Sequence, residues 1–157
     1  MGMDMLVRLY DVQDDTALMA KLKDEGILIK KAMAPDLTKI SSWVKDTFGQ
    51  GWADECTAGI LAGGCWIAVK DKQVIGFACY DATLKNFFGP TGVQEDMRGR
   101  GIGKALLIRC MISMRENGYA YAIIGSAGPM DFYKKAVDAV PIEGSVPGAY
   151  RNMVGAV

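Results

Sequence analysis

Three glycines in five positions, Gly99, Gly101 and Gly103, separate a strand-like run ending at Gly92-Val93 from the most regular helical pattern in the chain. The segment reads Arg98-Gly99-Arg100-Gly101-Ile102-Gly103-Lys104. Glycine reaches backbone conformations closed to other residues and leaves nothing standing over the main chain. A helix that begins there offers its first N–H groups without partners inside the helix, and its dipole favours negative charge at that end. The segment is therefore expected to cradle a phosphate group, and strand, loop and helix must fold as one unit around it.

Bulk charge does not help that cradle. The 157 residues carry 18 basic and 18 acidic side chains, so no electrostatic footprint points to nucleic acid or to an anionic membrane surface. The length suits a single domain, 1–157. No apolar run approaches the roughly 18–20 residues of a membrane span. Asp4 and Arg8 interrupt the apolar start, and Leu6 stands where N-myristoylation wants Ser or Thr. A cytoplasmic protein is expected. Cys56, Cys65, Cys79 and Cys110 are spread without ligand-like spacing and read as buried free thiols. Histidine is absent, which removes Ser-His-Asp and Cys-His chemistry and the usual zinc sites. No metal is expected.

Local patterns predict the elements. Met5–Val12 reads as a strand, and Asp15 caps a helix carrying Leu18, Met19 and Leu22 that ends near Gly26. Ile27–Met33 is β-rich at its start. Leu37, Ile40, Trp43, Val44 and Phe48 follow at helical spacing, stopped by Gly49 and Gly51. Trp52–Leu61 is a second, shorter helix. Cys65–Lys70 and Val74–Tyr80 flank Asp71-Lys72-Gln73 as a hairpin. Phe87–Val93 is a strand whose Gly89, Pro90 and Gly92 predict that pairing fails on one side midway. Ile102–Asn117 is the clearest helix, stopped by Asn117-Gly118. Tyr119–Gly125 is a strand, and a helix runs from Gly128-Pro129 through Lys135. Val140–Ile142 and Ala149–Val154 read as a closing strand pair. The order predicts an α/β or α+β domain.

Three phosphate motifs fit the loop unequally. A P-loop is missing its first glycine at Arg98 and its magnesium-binding hydroxyl at Ala105. A dinucleotide fingerprint would need glycine where Lys104 stands. The pattern R-x-x-G-x-G is met by Arg98, Gly101 and Gly103. The run Val93–Leu107 resembles the acyl-CoA-binding segment of the GNAT family of N-acetyltransferases. Downstream, Phe132-Tyr133-Lys134-Lys135 resembles that family's Φ-Tyr-x-Lys helix, Φ being apolar. Ser126 stands in place of its Asn, Pro129 in place of its Ala, and Val137-Asp138 in place of its Gly-Phe. The resemblance spans 26–157 in element order, leaving 1–25 as a strand–helix extension able to serve a sheet edge or a homodimer interface.

The resemblance implies a GNAT fold: a mixed, mostly antiparallel sheet splayed at its fourth core strand and flanked by helices. It implies acetyl-CoA as acyl donor and a primary amine of a small molecule or peptide as acceptor. The donor contacts would fall to Gly92, Val93, Arg98, Gly99, Arg100, Gly101, Ile102, Gly103, Lys104 and Ser126. The loop amides would take the pyrophosphate, and unpaired strand groups the pantetheine arm. Tyr133 would stand beside the sulfur and protonate the departing thiolate, while a backbone N–H near Val93 would meet the oxyanion. For the base, Asp81 and Glu55 are the carboxylates expected to face the acceptor, with Asp54 behind them and a water chain as substitute. Trp43 reads as core, while Trp52 and Tyr150 are candidates for the acceptor pocket. A non-catalytic acyl-CoA-binding module is the alternative left open by the departures at Ser126 and Val137-Asp138.

Overall fold

One hairpin, second and third in the strand order, sets the sheet. β3 (Cys65–Lys70) and β4 (Gln73–Tyr80) are joined by Asp71 and Lys72, whose φ values of 49° and 63° supply the twist of a two-residue hairpin turn. In the computed structural model, which describes residues 2–155, seven strands form one sheet in the order β2-β3-β4-β5-β6-β1-β7. β2 (Ile27–Lys31) and β5 (Phe87–Val93) flank the hairpin in antiparallel pairing. β6 (Tyr121–Ile124) runs parallel to β5, and β1 (Met5–Arg8) antiparallel to β6. The mixed, mostly antiparallel sheet flanked by helices is the expected architecture.

Helices cover both faces. α1 (Thr16–Asp24), α4 (Ile102–Glu116) and α5 (Met130–Val137) contribute to one core, against Ala68, Ala78 and Tyr80 of the sheet. α2 (Leu37–Phe48) and α3 (Gln50–Leu61) contribute to the other, against Cys65, Ile67, Phe77 and Cys79. The two sets of strand residues alternate along β3 and β4, as the period of a strand requires. Capping matches the sequence: the Asp15 carboxylate accepts from the Leu18 N–H at 3.0 Å and starts α1.

β5 is the strand that positions the site. It pairs with β4 from Tyr80↔Phe88 to Gly76↔Val93, but with β6 only at Phe87↔Ile123 and Phe88↔Ile124. From Gly89 onward its second edge has no strand beside it, as Gly89, Pro90 and Gly92 predicted. Counted from β2, this is the fourth strand.

Two readings differ from the structure. The segment 1–25 is no peripheral extension. β1 lies inside the sheet, between β6 and β7 (Val140–Pro141), with Met5, Val7 and Leu9 fully buried. Residues around it hold it there: the Asp4 N–H donates to Ser145 Oγ at 2.8 Å, and the Ala127 N–H to Met3 O at 2.8 Å. Arg115 of α4 donates to the carbonyls of Leu9 and Val12, and pins the turn that follows β1. An alternating run of four residues gives no sign of whether its free edges find neighbours, so sequence placed it outside. The strand read over Ala149–Val154 is absent as well. Gly148–Tyr150 forms a single 3-10 turn instead, and β7 pairs only with β1. Pro147 and Gly148 favour that turn over a ladder.

An interior β1 has an energetic consequence. Met5→Ala is expected to lower the free energy of unfolding by about 2–5 kcal/mol, the usual cost of emptying a core site. Urea unfolding measures it, and a loss under about 0.5 kcal/mol, the range of surface substitutions, would place β1 outside the core.

Candidate active site

A cleft of about 660 Å³ opens where β5 leaves β6. One wall is β5 from Phe88 to Val93, and the floor is the 98–104 loop running into α4. α5 supplies Phe132 and Tyr133 opposite, and Phe48 and Trp52 close the far end.

Backbone groups line this cleft because nothing else satisfies them. The Gln94 N–H donates to Ile75 O at 2.8 Å, toward β4. Alternation along the strand therefore turns the N–H and C=O of Val93 to the open edge. Arg98 Nε meets that carbonyl at 3.1 Å, and the Val93 N–H remains free among the described residues. Next, Gly99 and Gly101 hold φ values of 80° and 90° and turn the chain into α4. No N–H from Gly99 to Lys104 has an acceptor among the described residues; the first one bonded in the helix is that of Ala105, to Gly101 O. A run of free amides converges on the start of a fifteen-residue helix.

Close approach explains the glycines individually. A Cβ on Gly92 would overlap the Phe48 ring. A Cβ on Gly101 would lie 2.7 Å from Leu18 Cδ1, so α1 presses directly on the loop. At Gly103 the nearest atoms to such a Cβ are Val93 Cγ2 at 3.8 Å and Phe132 Cζ at 3.9 Å, both lining the cleft. Its missing side chain leaves room for a ligand, not for the protein.

The basic residues of the loop are engaged with the chain. Lys104 Nζ pairs with Asp15 Oδ2 at 3.2 Å while still reaching the cleft wall. The Leu18 N–H and Lys104 together hold the Asp15 carboxyl below its usual range. Arg100 accepts a hydrogen bond from Lys21 Nζ through its carbonyl, and its side chain is exposed. The support that α1 gives the loop, through Leu18, Asp15 and Lys21, carried no signal in the sequence.

Tyr133 is buried in the cleft wall, edge-on to Phe88 and Phe132 with ring centroids 6.3 and 5.0 Å away. Its hydroxyl has no hydrogen-bond partner among the described residues. Burial pushes its pKa up to about 12, so the hydroxyl keeps its proton throughout the neutral range. Met97 and Leu107 also line the cleft and were not singled out by sequence, since an apolar residue on a periodic face looks the same over a core or a cavity.

The other candidates lie elsewhere. Asp81 does not border the cleft. It holds φ 55° after β4, where Oδ1 accepts from the Asn86 N–H at 2.7 Å and Oδ2 from the Tyr119 hydroxyl at 3.1 Å. Its carboxylate staples the β4–β5 connection. Ser126 does not border the cleft either: its N–H donates to Asp4 Oδ1 and its Oγ accepts from the Gly2 N–H, which ties it to the start of β1. Glu55 sits one turn after Trp52 on α3, half-buried, with Oε1 accepting from Thr83 Oγ1 at 2.6 Å. Asp54 is exposed and bonded to Gln50. Tyr150 stacks edge-on to Phe87 at 6.5 Å outside the cleft. Burial, then the carboxylates of Asp4 and Glu55, push its pKa up to about 12. Trp43 packs into the core beside Phe48 and Phe77, as read, and Trp52 reaches the cleft.

Comparison with known proteins gives the cleft a context. Residues 62–136, from the end of α3 to α5, match the family model described as an acetyltransferase (GNAT) domain. The fold is similar to the GCN5-related glucosamine N-acetyltransferase region of a fungal multi-domain GH3 β-N-acetylglucosaminidase, with TM-score 0.72, 16% identity, and coverage of 89% of this chain and 19% of that one. It is similar to a GCN5-related N-acetyltransferase from Sphaerobacter thermophilus, with TM-score 0.67, 17% identity, and coverage of 89% and 48%. A GNAT family acetyltransferase from Brucella melitensis, solved in complex with acetyl-CoA, gives TM-score 0.56, 20% identity, and coverage of 69% and 80%. The chain thus spans about a fifth of the first of these proteins and about half of the second. No curated protein matches the chain in sequence.

The two loop glycines separate conformation from space. Gly101→Ala, at positive φ and against Leu18, is expected to cost about 1–3 kcal/mol of stability. Gly103→Ala, at ordinary φ with open space beside it, is expected to change stability by less than about 1 kcal/mol. Thermal and urea unfolding of the two variants distinguish them; equal losses would contradict the geometry of the loop.

Proposed function

From the match of residues 62–136 to the acetyltransferase (GNAT) domain model, we propose a transfer of the acetyl group of acetyl-CoA to a primary amine of a small molecule or peptide by direct attack on the thioester. One observation carries this reading: the open edge of β5, the glycine loop with its free amides and Tyr133 line one cleft.

The loop amides bind the pyrophosphate at the positive end of α4. The pantetheine arm lies along β5 and takes up strand groups that β6 leaves unpaired, much as an added strand would. The thioester then lies between Val93 and Tyr133. The neutral amine attacks the thioester carbon, a C–N bond forms, and the Val93 N–H donates to the oxygen as it gains charge. The C–S bond breaks, and Tyr133 protonates the departing sulfur. Burial of Tyr133 serves this step by keeping the proton available. The proton lost by the amine leaves through water to Glu55. Glu55 does not line the cleft but lies one helical turn from Trp52 at its end, and keeps one oxygen outside its bond to Thr83. Asp81 is unsuited to that task, because it lies outside the cleft, with one oxygen on the Asn86 N–H and the other on the Tyr119 hydroxyl.

Isothermal calorimetry with acetyl-CoA, followed by thiol release over a panel of amines, tests the reading. Tyr133→Phe is expected to lower kcat by about 100-fold or more while leaving acetyl-CoA affinity intact. An unchanged kcat would remove Tyr133 from the mechanism. Gly103→Glu, which projects a carboxylate into the phosphate cradle of a loop that keeps its shape, is expected to abolish acetyl-CoA binding. Normal affinity in that variant would refute the loop as the donor site. Acetyl-CoA binding without turnover on any amine would favour a non-catalytic acyl-CoA-binding module instead.

A further inference from the structure

Three of the four cysteines, distant in sequence, meet in the core on the side of the sheet away from α4. Cys65 and Cys79 face one another across β3 and β4, and Cys56 reaches them from α3. Their sulfur atoms all lie within 4.8 Å of one another, and all three residues are buried. The fourth, Cys110, lies on the opposite face of the sheet beside Ala78 O.

Among the described residues no His, Asp or Glu joins the three sulfurs, and the only oxygens bonded to a cysteine sulfur are Trp66 O, 3.8 Å from Cys65 Sγ, and Ala78 O, beside Cys110 on the other face. The buried cluster that contains them is otherwise Ile40, Val44, Ala53, Ile60, Ile67 and Phe77. These are hydrocarbon side chains, with no oxygen or nitrogen donor suited to a hard cation. α3 also comes unusually close here: a Cβ on Gly59 would lie 3.0 Å from Cys79 Sγ and 3.1 Å from its Cβ. Glycine at that position lets the helix bring Cys56 down to the strand sulfurs. An ion bonded to three sulfurs at about 2.3 Å in one plane sets them about 4.0 Å apart, a spacing this cluster reaches with small side-chain movements. Thiolate ligands select copper(I), zinc or iron–sulfur centres; zinc in structural sites takes four ligands, and an iron–sulfur cluster is held by four cysteines.

We propose that Cys56, Cys65 and Cys79 form a three-sulfur site for a soft, low-coordinate monovalent ion of the copper(I) class. Binding exchanges thiol protons for the ion and changes no oxidation state. The site is separate from the acyl-donor cleft and owes nothing to the reading of that cleft.

The test is an anaerobic titration of the reduced full chain with copper(I) buffered by bathocuproine disulfonate. One equivalent is expected to bind, with thiolate-to-copper absorption in the ultraviolet, a three-sulfur shell by X-ray absorption, and a raised Tm. Cys56→Ala and Cys79→Ala are each expected to weaken binding beyond the roughly 10–100-fold that loss of an outer partner costs a metal site, and Cys110→Ala to leave it unchanged. Circular dichroism and urea unfolding, measured in parallel, report that each variant is folded. The X-ray absorption spectrum of the unaltered chain decides the matter should a variant fail to fold. No binding in competition with the chelator, a two-sulfur shell, preference for zinc(II), or equal loss in Cys110→Ala would each overturn the proposal.

Discussion

Everything in the site depends on one strand being paired on one side only. β5 must stay in register with β4 to be held in place, yet part from β6 to leave its outer groups free. Gly89 and Pro90 stand where the two neighbours separate, and proline has no N–H to offer a ladder in any case. The free groups of β5 and the free amides at the start of α4 then face the same space, because the loop between them is short and bent by Gly99 and Gly101. Buried backbone groups without partners are costly, so a fold that keeps them open is shaped for a ligand with complementary polar groups.

The two faces of the sheet divide the labour. α4 is buried along nearly its whole length and anchors the loop to the first core. α2 and α3 form the second core and send Phe48 and Trp52 to the far end of the cleft, where the Phe48 ring covers Gly92. The aromatic cluster of Trp43, Phe48, Trp52 and Phe77 therefore links the packing of α2 and α3 to the width of the cleft.

Sequence made the loop side of the cleft legible and much of the rest illegible, for physical reasons. The glycine loop, the broken strand, the hairpin and the start of α1 all rest on backbone restrictions local to a few residues, and local restrictions leave a pattern. Asp81 and Ser126 show the opposite case. Each was a candidate for the site by position along the chain, and each is engaged by a partner brought from elsewhere by the fold: Tyr119 for Asp81, Asp4 for Ser126. The same holds for the meeting of Cys56, Cys65 and Cys79, since spacing along the chain is silent about strands that face each other beneath a helix. Lys104 is a cation at the positive end of a helix dipole, and its partner Asp15, from the start of α1, offsets that charge.

The place of β1 also bears on the order in which the molecule assembles. The strand is made long before its neighbours β6 and β7. Until then its buried side chains have no surface to cover them. Such long-range pairing slows folding, because a large loop must close before any contact rewards it. The cleft feels this delay, since α1, which follows β1 directly, presses Leu18 against Gly101 and holds Lys104 through Asp15. The glycine loop thus takes its final shape only when β1 has met β6 and β7.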